Sequence, residues 1–152
     1  MVTGTRNGCI IAAHETVSCR ALTGGPGLRG VSTQPDREGI EDGLPGTAVG
    51  SIRDFAIGDV HTRQRLIAHS DAEKYFSYQS LGPTTIGEAG TTRTMLDYIG
   101  TLRLRTITEG DRCFAEWSSG YDRPPGDANY WASWWATSLP AWLSSMREHP
   151  AS

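Results

Sequence analysis

Two stretches of alternating residues flank a Glu-Gly pair at positions 109–110, and this hairpin pattern constrains the fold more than any other feature. The stretches are "MLDYIGTLRLRTIT" and "DRCFAEWSSGYD". A two-residue turn fixes the register of the strands that it joins. It places Leu102 opposite Trp117 on one face, and on the same face it places Gly100 opposite Ser119. The other predicted partners on this face are Leu104 with Ala115 and Tyr98 with Tyr121.

A second hairpin is predicted around the Gly-Asp pair at positions 58–59, between "TAVGSIRDFAI" and "VHTRQRLIAHS". Its register places Arg53 opposite Gln64 and turns both side chains toward the same face. The other predicted partners on that face are Ser51 with Leu66 and Val49 with Ala68.

Shorter segments complete the predicted sheet. The stretch "KYFSYQSL" predicts a strand with Phe76 and Tyr78 pointing inward. The Gly- and Thr-rich stretch "GPTTIGEAGTTRT" predicts a long loop that acts as a flap over an opening. Near the N-terminus, "GCIIAAH" predicts a strand, "ETVSCRAL" a short helix and "TGGPGLRGVSTQPDREG" an irregular connection.

Four of the five tryptophans lie in "NYWASWWATSLPAW", residues 129–142. Residues 126–149 are predicted to form a helix that begins at Gly126-Asp127 and is kinked by Pro140. Two interpretations stay open: the aromatic face is ordinary core, or it is one wall of a ligand cavity opposite the small residues of the sheet. The side chains assigned to this face of the helix or beside it are Trp131, Trp134, Trp135, Leu139, Trp142 and Met146.

Composition excludes several classes of partner. The formal charge of −3 gives no basic surface for nucleic acid or for anionic lipid. No apolar run is long enough to cross a bilayer, and the N-terminus lacks the apolar core of a signal peptide. We therefore predict a single cytoplasmic domain covering residues 1–152, without a nucleic-acid or membrane partner; a homodimer stays open.

The cysteines and histidines do not predict a metal site. Cys9, Cys19 and Cys113 are odd in number and have no metal-binding spacing, so we expect reduced thiols in the core. The four histidines are scattered, and His61 and His69 share the predicted outer face with arginines. The sequence also has no phosphate loop, nucleophile elbow or dinucleotide fingerprint, so no cofactor is predicted.

Several stretches together resemble the SRPBCC superfamily, in its bacterial polyketide cyclase/dehydrase branch. They are "IEDGLPGTAVGSIRDF", "RQRLIAHSD", "YFSYQSLGP", "DYIGTLRLRTITEGDRCFAEWSSGYD" and "LPAWLSSM". The resemblance covers roughly residues 38–148 and is most specific from Asp97 to Asp122. It implies an α+β helix-grip fold, in which a curved antiparallel sheet wraps around a long C-terminal helix and encloses an apolar cavity.

The resemblance also implies a function. Such a protein would bind an apolar or aromatic, polyketide-like small molecule and promote its cyclisation, dehydration or isomerisation without a cofactor. Aromatic cyclases of this branch resemble one another in a Ser-x-Arg, but this chain has Leu66-Ile67-Ala68 at that position, so that arginine is not carried over. Arg53 is the candidate that replaces its positive charge; a purely structural arginine is the alternative.

The remaining candidates for catalysis are groups that can move a proton. Tyr78, Tyr98 and Tyr121 could donate to a carbonyl oxygen, and Asp97 could act as a base, or it is simply a surface carboxylate. A carrier or sensor without catalytic activity is an alternative function, and a protein-interaction module is a third. The predicted ligand-binding residues are Ser51, Gln64, Phe76, Gly100, Leu102, Trp117, Ser119, Tyr121, Trp131, Trp134, Trp135 and Leu139.

Overall fold

The computed structural model describes residues 8–18, 37–57, 60–88, 91–107 and 112–148. Within these ranges, eight strands form one antiparallel sheet in the order β1-β8-β7-β5-β4-β3-β2, and β6 lies between β4 and β7. One long helix, α1, follows the last strand. The elements are β1 Gly8–Ser18, β2 Arg37–Ile40, β3 Ile52–Ile57, β4 Val60–Ser70, β5 Tyr75–Ser80, β6 Thr84–Glu88, β7 Thr91–Thr106, β8 Arg112–Asp122 and α1 Ala128–Glu148.

The registers predicted for the two hairpins are confirmed where the strands are regular. Arg53 lies opposite Gln64 in the β3–β4 pair. In the β7–β8 pair, Gly100 lies opposite Ser119, Leu102 opposite Trp117 and Leu104 opposite Ala115. Both turns, 58–59 and 108–111, lie outside the described residues.

A β-bulge interrupts β7 between Leu96 and Ile99, where the register against β8 shifts by one residue. Asp97 lies in this bulge with a φ of 48°. In a regular strand, side chains three positions apart point to opposite faces. The extra residue in the bulge allows both Met95 and Tyr98 to point into the core. The predicted simple pairing of Tyr98 with Tyr121 therefore falls within the irregular part of the ladder.

The predicted pairing of Val49 with Ala68 was wrong, and a second β-bulge lies in β4 beside Ala68. The register of β4 against β5 shifts between Leu66 and Ala68. Val49 precedes the start of β3, lies in a turn and is 60% exposed, so it does not face the core. The backbone pairing beside it holds as predicted, because the N–H of Leu66 donates to the carbonyl oxygen of Ser51 over 2.9 Å.

The flap predicted over residues 82–94 was wrong. Thr84–Glu88 forms β6, which pairs with β7 along its whole length and with β4 at one position. Gly and Thr are frequent in loops, but here strands on both sides supply backbone hydrogen bonds, and these override the local preference. The predicted helix beginning at Glu15 was also wrong over Glu15–Ser18, because these residues continue β1 and pair with β8. Residues 37–39, predicted to be irregular, belong to β2.

The C-terminal helix was predicted correctly in position and type. α1 runs through Pro140 without interruption and packs against β1 and β8. The side chains of Trp142 and Met146 lie outside the described residues. Among the described residues, no helical segment has both the length and the apolarity needed to cross a bilayer. The fully buried residues of α1 recur every fourth position: Trp131, Trp135, Leu139 and Leu143.

The expectation of reduced cysteines was wrong for Cys113. This residue is buried, as expected, but it is disulfide-bonded. Sequence spacing does not reveal which cysteines meet in space, because pairing depends on how the sheet brings distant strands together. The side chains of Cys9 and Cys19 lie outside the described residues.

Candidate functional site

A buried arginine on β3 forms the polar end of the interior. Arg53 is only 3% exposed, although its guanidinium group is charged. Nη2 donates a hydrogen bond of 3.0 Å to Oε1 of Gln64, on the neighbouring strand β4. Cζ lies 4.4 Å from the centre of the Tyr78 ring, which places the guanidinium in a cation–π contact. The register of the β3–β4 pair thus places the cation inside the protein, as predicted.

A tyrosine in the β7 bulge occupies the middle of the inner face. The hydroxyl of Tyr98 lies 3.3 Å from Oγ of Ser119 on β8. To reach it, the side chain passes over Gly100, where a Cβ would lie 2.9 Å from Cζ of Tyr98 and closer still to Oη. Gly100 and Ser119 do face the interior as predicted, but the phenol of Tyr98 fills the space that their small side chains leave.

Burial determines the protonation state of this tyrosine. Desolvation raises the pKa of Tyr98 above its usual value, and hydrogen bonding to Ser119 and Trp117 and the positive charge of Arg53 oppose this rise. The phenol is therefore neutral at physiological pH and can donate a hydrogen bond.

Aromatic rings form the opposite end of the interior. Trp135 of α1 stacks on Tyr98, with ring centres 5.6 Å apart and planes 7° from parallel. Tyr121 of β8 contacts both Trp131 and Trp135. Nε1 of Trp131 is buried and has no hydrogen-bond partner among the described residues. The half-buried Trp134 adds edge-on contacts to both of its tryptophan neighbours.

Of the other predicted site residues, the binding residues lie in the interior, whereas the candidate base Asp97 lies outside it. Phe76, Leu102 and Trp117 form one cross-strand row, and all three are buried. Ser51, two residues before Arg53, is buried, and so is Leu139 of α1. Asp97 does not join them, because the bulge leaves it on the exposed side of β7.

A cluster of hydroxyl groups beside Gln64 was not predicted from the sequence. Oγ1 of Thr62 lies 3.5 Å from Oγ of Ser80 and 3.3 Å from Oγ1 of Thr84. The Ser80 and Thr84 hydroxyls lie 3.4 Å apart, which closes a triangle. The alternation of side chains along β4 could have revealed Thr62, because Thr62 lies two residues before Gln64 and therefore on the same face.

Acid–base groups are sparse in this interior. Among the side chains that the structure describes, no Asp, Glu or His is buried. The same residues contain no group of His, Cys, Asp or Glu side chains able to hold a metal ion. The arrangement therefore offers hydrogen-bond donors and one cation, which suit an oxygen atom that carries or develops negative charge.

Comparison with solved structures shows that proteins of low sequence identity have a similar fold. A protein from Nitrosospira multiformis is 17% identical with a TM-score of 0.66, over 94% of this chain and 97% of that one. Truncated norcoclaurine synthase from Thalictrum flavum is 15% identical with a TM-score of 0.64, over 93% and 92%. Major latex-like protein 151 from Panax ginseng is 11% identical with a TM-score of 0.70, over 95% and 99%. No family model and no curated protein matches the chain.

Proposed function

From the premise that this chain has the Bet v 1-like helix-grip fold, we propose that it binds an apolar, polyketide-like small molecule between the sheet and α1. The ligand places a carbonyl oxygen at Arg53 and its rings against the tryptophans of α1. The protein promotes cyclisation, dehydration or isomerisation of this ligand. The observation that carries the proposal is the burial of the Arg53 guanidinium between Gln64 and Tyr78.

These three reactions share one step, the loss of a proton from the carbon next to a carbonyl group. The C–H bond breaks, its proton passes to a water molecule, and its electron pair forms an enolate. Negative charge then accumulates on the former carbonyl oxygen. Arg53 stabilises that charge more strongly than it stabilises the neutral carbonyl, so it lowers the barrier as well as binding the ligand.

Tyr98 supplies the second donor of the proposed site. Its raised pKa keeps the hydroxyl protonated, and a neutral phenol can donate a hydrogen bond to the enolate oxygen. The stack on Trp135 and the contact with Ser119 hold the ring in place, so little reorganisation is needed during the reaction. Tyr78 contributes by positioning the guanidinium group through its ring face.

Among the structural neighbours, norcoclaurine synthase is an enzyme by name, and one of its point mutants has been solved with a transition-state analogue. That protein shows that this fold can support catalysis. It says nothing about the substrate of this chain, because the identity between the two is only 16%.

A non-catalytic carrier of the same ligand is the second candidate. The observation that favours it is the lack of a buried carboxylate or imidazole among the described side chains, since such a group usually removes the proton in this chemistry. In a carrier, Arg53 and the tyrosines would only orient the ligand.

Measuring proton exchange in a model ketone would show whether the protein is an enzyme or a carrier. We would incubate 2-tetralone, a bicyclic ketone, with the protein in D₂O and follow deuterium incorporation next to the carbonyl by NMR. The enzyme should accelerate exchange, and Arg53→Gln should slow it by on the order of a hundredfold. Arg105→Gln, a change at an exposed position of β7, is the control and should leave the rate unchanged.

Two results would count against catalysis. Binding of 2-tetralone without faster exchange would identify a carrier. Equal acceleration by the wild type and by Arg53→Gln would show that the exchange does not depend on the proposed site.

A further inference from the structure

The hydroxyl triangle of Thr62, Ser80 and Thr84 plays no part in the function proposed above. Its members are 5–8% exposed, and each contributes its hydroxyl to the inner side of the sheet. Within the described residues, each hydroxyl bonds only to the other two. Three buried hydroxyl groups that contact only one another are unusual, because buried polar groups normally have well-formed hydrogen bonds.

The triangle leaves much of its hydrogen-bonding capacity unused. Its three contacts measure 3.3–3.5 Å, whereas bonds between hydroxyl groups are usually about 2.7–2.8 Å. Each hydroxyl carries one donor and two lone pairs, so even a complete ring of three bonds leaves lone pairs without donors. An oxygen atom from outside the triangle could therefore form shorter bonds than those present.

Register places this triangle next to the arginine. Gln64 lies between them, because its partner on β3 is Arg53 and its partner on β5 is Ser80. Oε1 of Gln64 is engaged by Arg53, and among the described residues Nε2 has no hydrogen bond. Gln64 thus joins the cation to the hydroxyl groups in one continuous polar strip.

We propose that the hydroxyl triangle, together with Nε2 of Gln64, is a second oxygen-binding subsite for the ligand that Arg53 binds. This inference rests on the function proposed above and defines its substrate class. The ligand has a rigid ring system with at least two oxygen substituents, one held by Arg53 and the other by the triangle.

The spacing of the two subsites limits which ligands fit. The two subsites adjoin, because the Arg53 guanidinium reaches past β4 to the Tyr78 ring on β5 and the amide of Gln64 belongs to both subsites. The two ligand oxygens therefore lie at the same end of the ligand. A fused ring system with two oxygen substituents at one end suits both subsites.

A purely structural role is the competing explanation. Ser80 and Thr84 flank the short break between β5 and β6, and Thr62 lies on the adjacent strand, so the triangle could simply hold this break against β4. Removal of one hydroxyl would then lower stability and would not change the preference between ligands.

Two matched probes test the subsite: naphthalene-2-carboxylate and 4-hydroxynaphthalene-2-carboxylate, which differ by one hydroxyl on the ring that carries the carboxylate. By calorimetry, the wild type should bind the hydroxylated probe roughly three- to tenfold more tightly, as expected for one added hydrogen bond. Thr84→Val and Ser80→Ala should each remove this preference. Thr85→Val, the neighbouring threonine on the other face of β6, should retain it.

The outcomes separate this inference from the function on which it rests. If the wild type binds both probes equally, the second subsite is refuted while ligand binding stands. If neither probe binds, the proposed function itself fails. A loss of thermal stability in Thr84→Val and Ser80→Ala without a change in probe preference would assign the triangle a structural role.

Discussion

The side chain of Tyr98 lies along its own strand and covers Gly100, so it limits which residues can occupy the neighbouring positions. The phenol covers Gly100 and reaches Ser119, so only glycine fits beneath the ring. The sequence interpretation took Gly100 as a sign of open space. It could not foresee the bulge at Asp97, which turns Tyr98 into the space above the glycine.

Gly100→Ala should destabilise the protein by about 1 to 3 kcal/mol, because the new methyl group would overlap Tyr98. Gly120→Ala is the control, since nothing lies within 4 Å of a Cβ there. Urea unfolding measures both variants. Equal effects at the two positions would show that Tyr98 does not cover Gly100.

Tyr98→Phe should alter how stability depends on alkaline pH. The unfolded tyrosine ionises at its ordinary pKa of about 10, whereas the folded one stays neutral to a higher pH because burial raises its pKa. Wild-type stability is therefore fully present below pH 10 and falls as the pH rises toward the pKa of the folded state. The stability of the Tyr98→Phe variant should fall less steeply as the pH rises.

Thermal unfolding between pH 8 and 11 measures this difference. Gly120→Ala, a change that involves no ionisable group, is the control and should keep the wild-type slope. A Tyr98→Phe protein with the same alkaline slope as the wild type would contradict the burial of a neutral phenol.

An ion pair connects β7 to the start of α1. Arg93 bonds to Asp127 in the 3-10 turn Pro125–Asp127, and its guanidinium carbon lies 4.4 Å from the centre of the Tyr130 ring. This contact holds the first turn of the helix against the sheet, just before the buried tryptophans of α1.

Arg93→Gln should lower stability by roughly 1 kcal/mol, because it removes a partly buried ion pair and a cation–π contact. Amide hydrogen exchange in residues 128–134 should become faster, while exchange in β4 stays unchanged. Arg105→Gln on the same strand serves as the control. Unchanged exchange at the helix start would mean that Arg93 does not hold it.

The sequence predicted some elements well because their signals are local. The Gly-Asp and Glu-Gly pairs of the sequence predict the registers that β3–β4 and β7–β8 have, and the apolar spacing of the last segment predicts the buried side chains of Trp131, Trp135 and Leu139. β6 pairs mainly with β7, the next strand along the chain, but its composition is typical of a loop and conceals the strand. The end of β1 carries no local signal, because it pairs with β8, which is distant in the sequence. The bulges in β7 and β4 were not predicted, and Val49 lies in a turn before β3 instead of opposite Ala68. Asp97 is exposed, which agrees with the interpretation of this residue as a surface carboxylate.

At the scale of the whole molecule, the interior has two chemically different ends. Arg53, Gln64 and the hydroxyl triangle lie on β3 to β6, while the tryptophans of α1 meet β8. The sequence predicted both ends, since the register placed Arg53 inside and the helix repeat placed Trp131 and Trp135 inside. It did not predict the triangle, which three separate strands bring together. This polarity suits a ligand that is oxygenated at one end and apolar at the other.

The most direct test of this account compares two probes that share a ring system: 8-anilinonaphthalene-1-sulfonate, an anion, and N-phenyl-1-naphthylamine, its uncharged analogue. Fluorescence titration gives both affinities. Arg53→Gln should weaken binding of the anion by about tenfold to a hundredfold, as expected for a lost charge-assisted hydrogen bond, and leave the neutral probe unaffected. Arg105→Gln should change neither affinity. Equal weakening of both probes by Arg53→Gln, or no change in either, would contradict a ligand oxygen at Arg53.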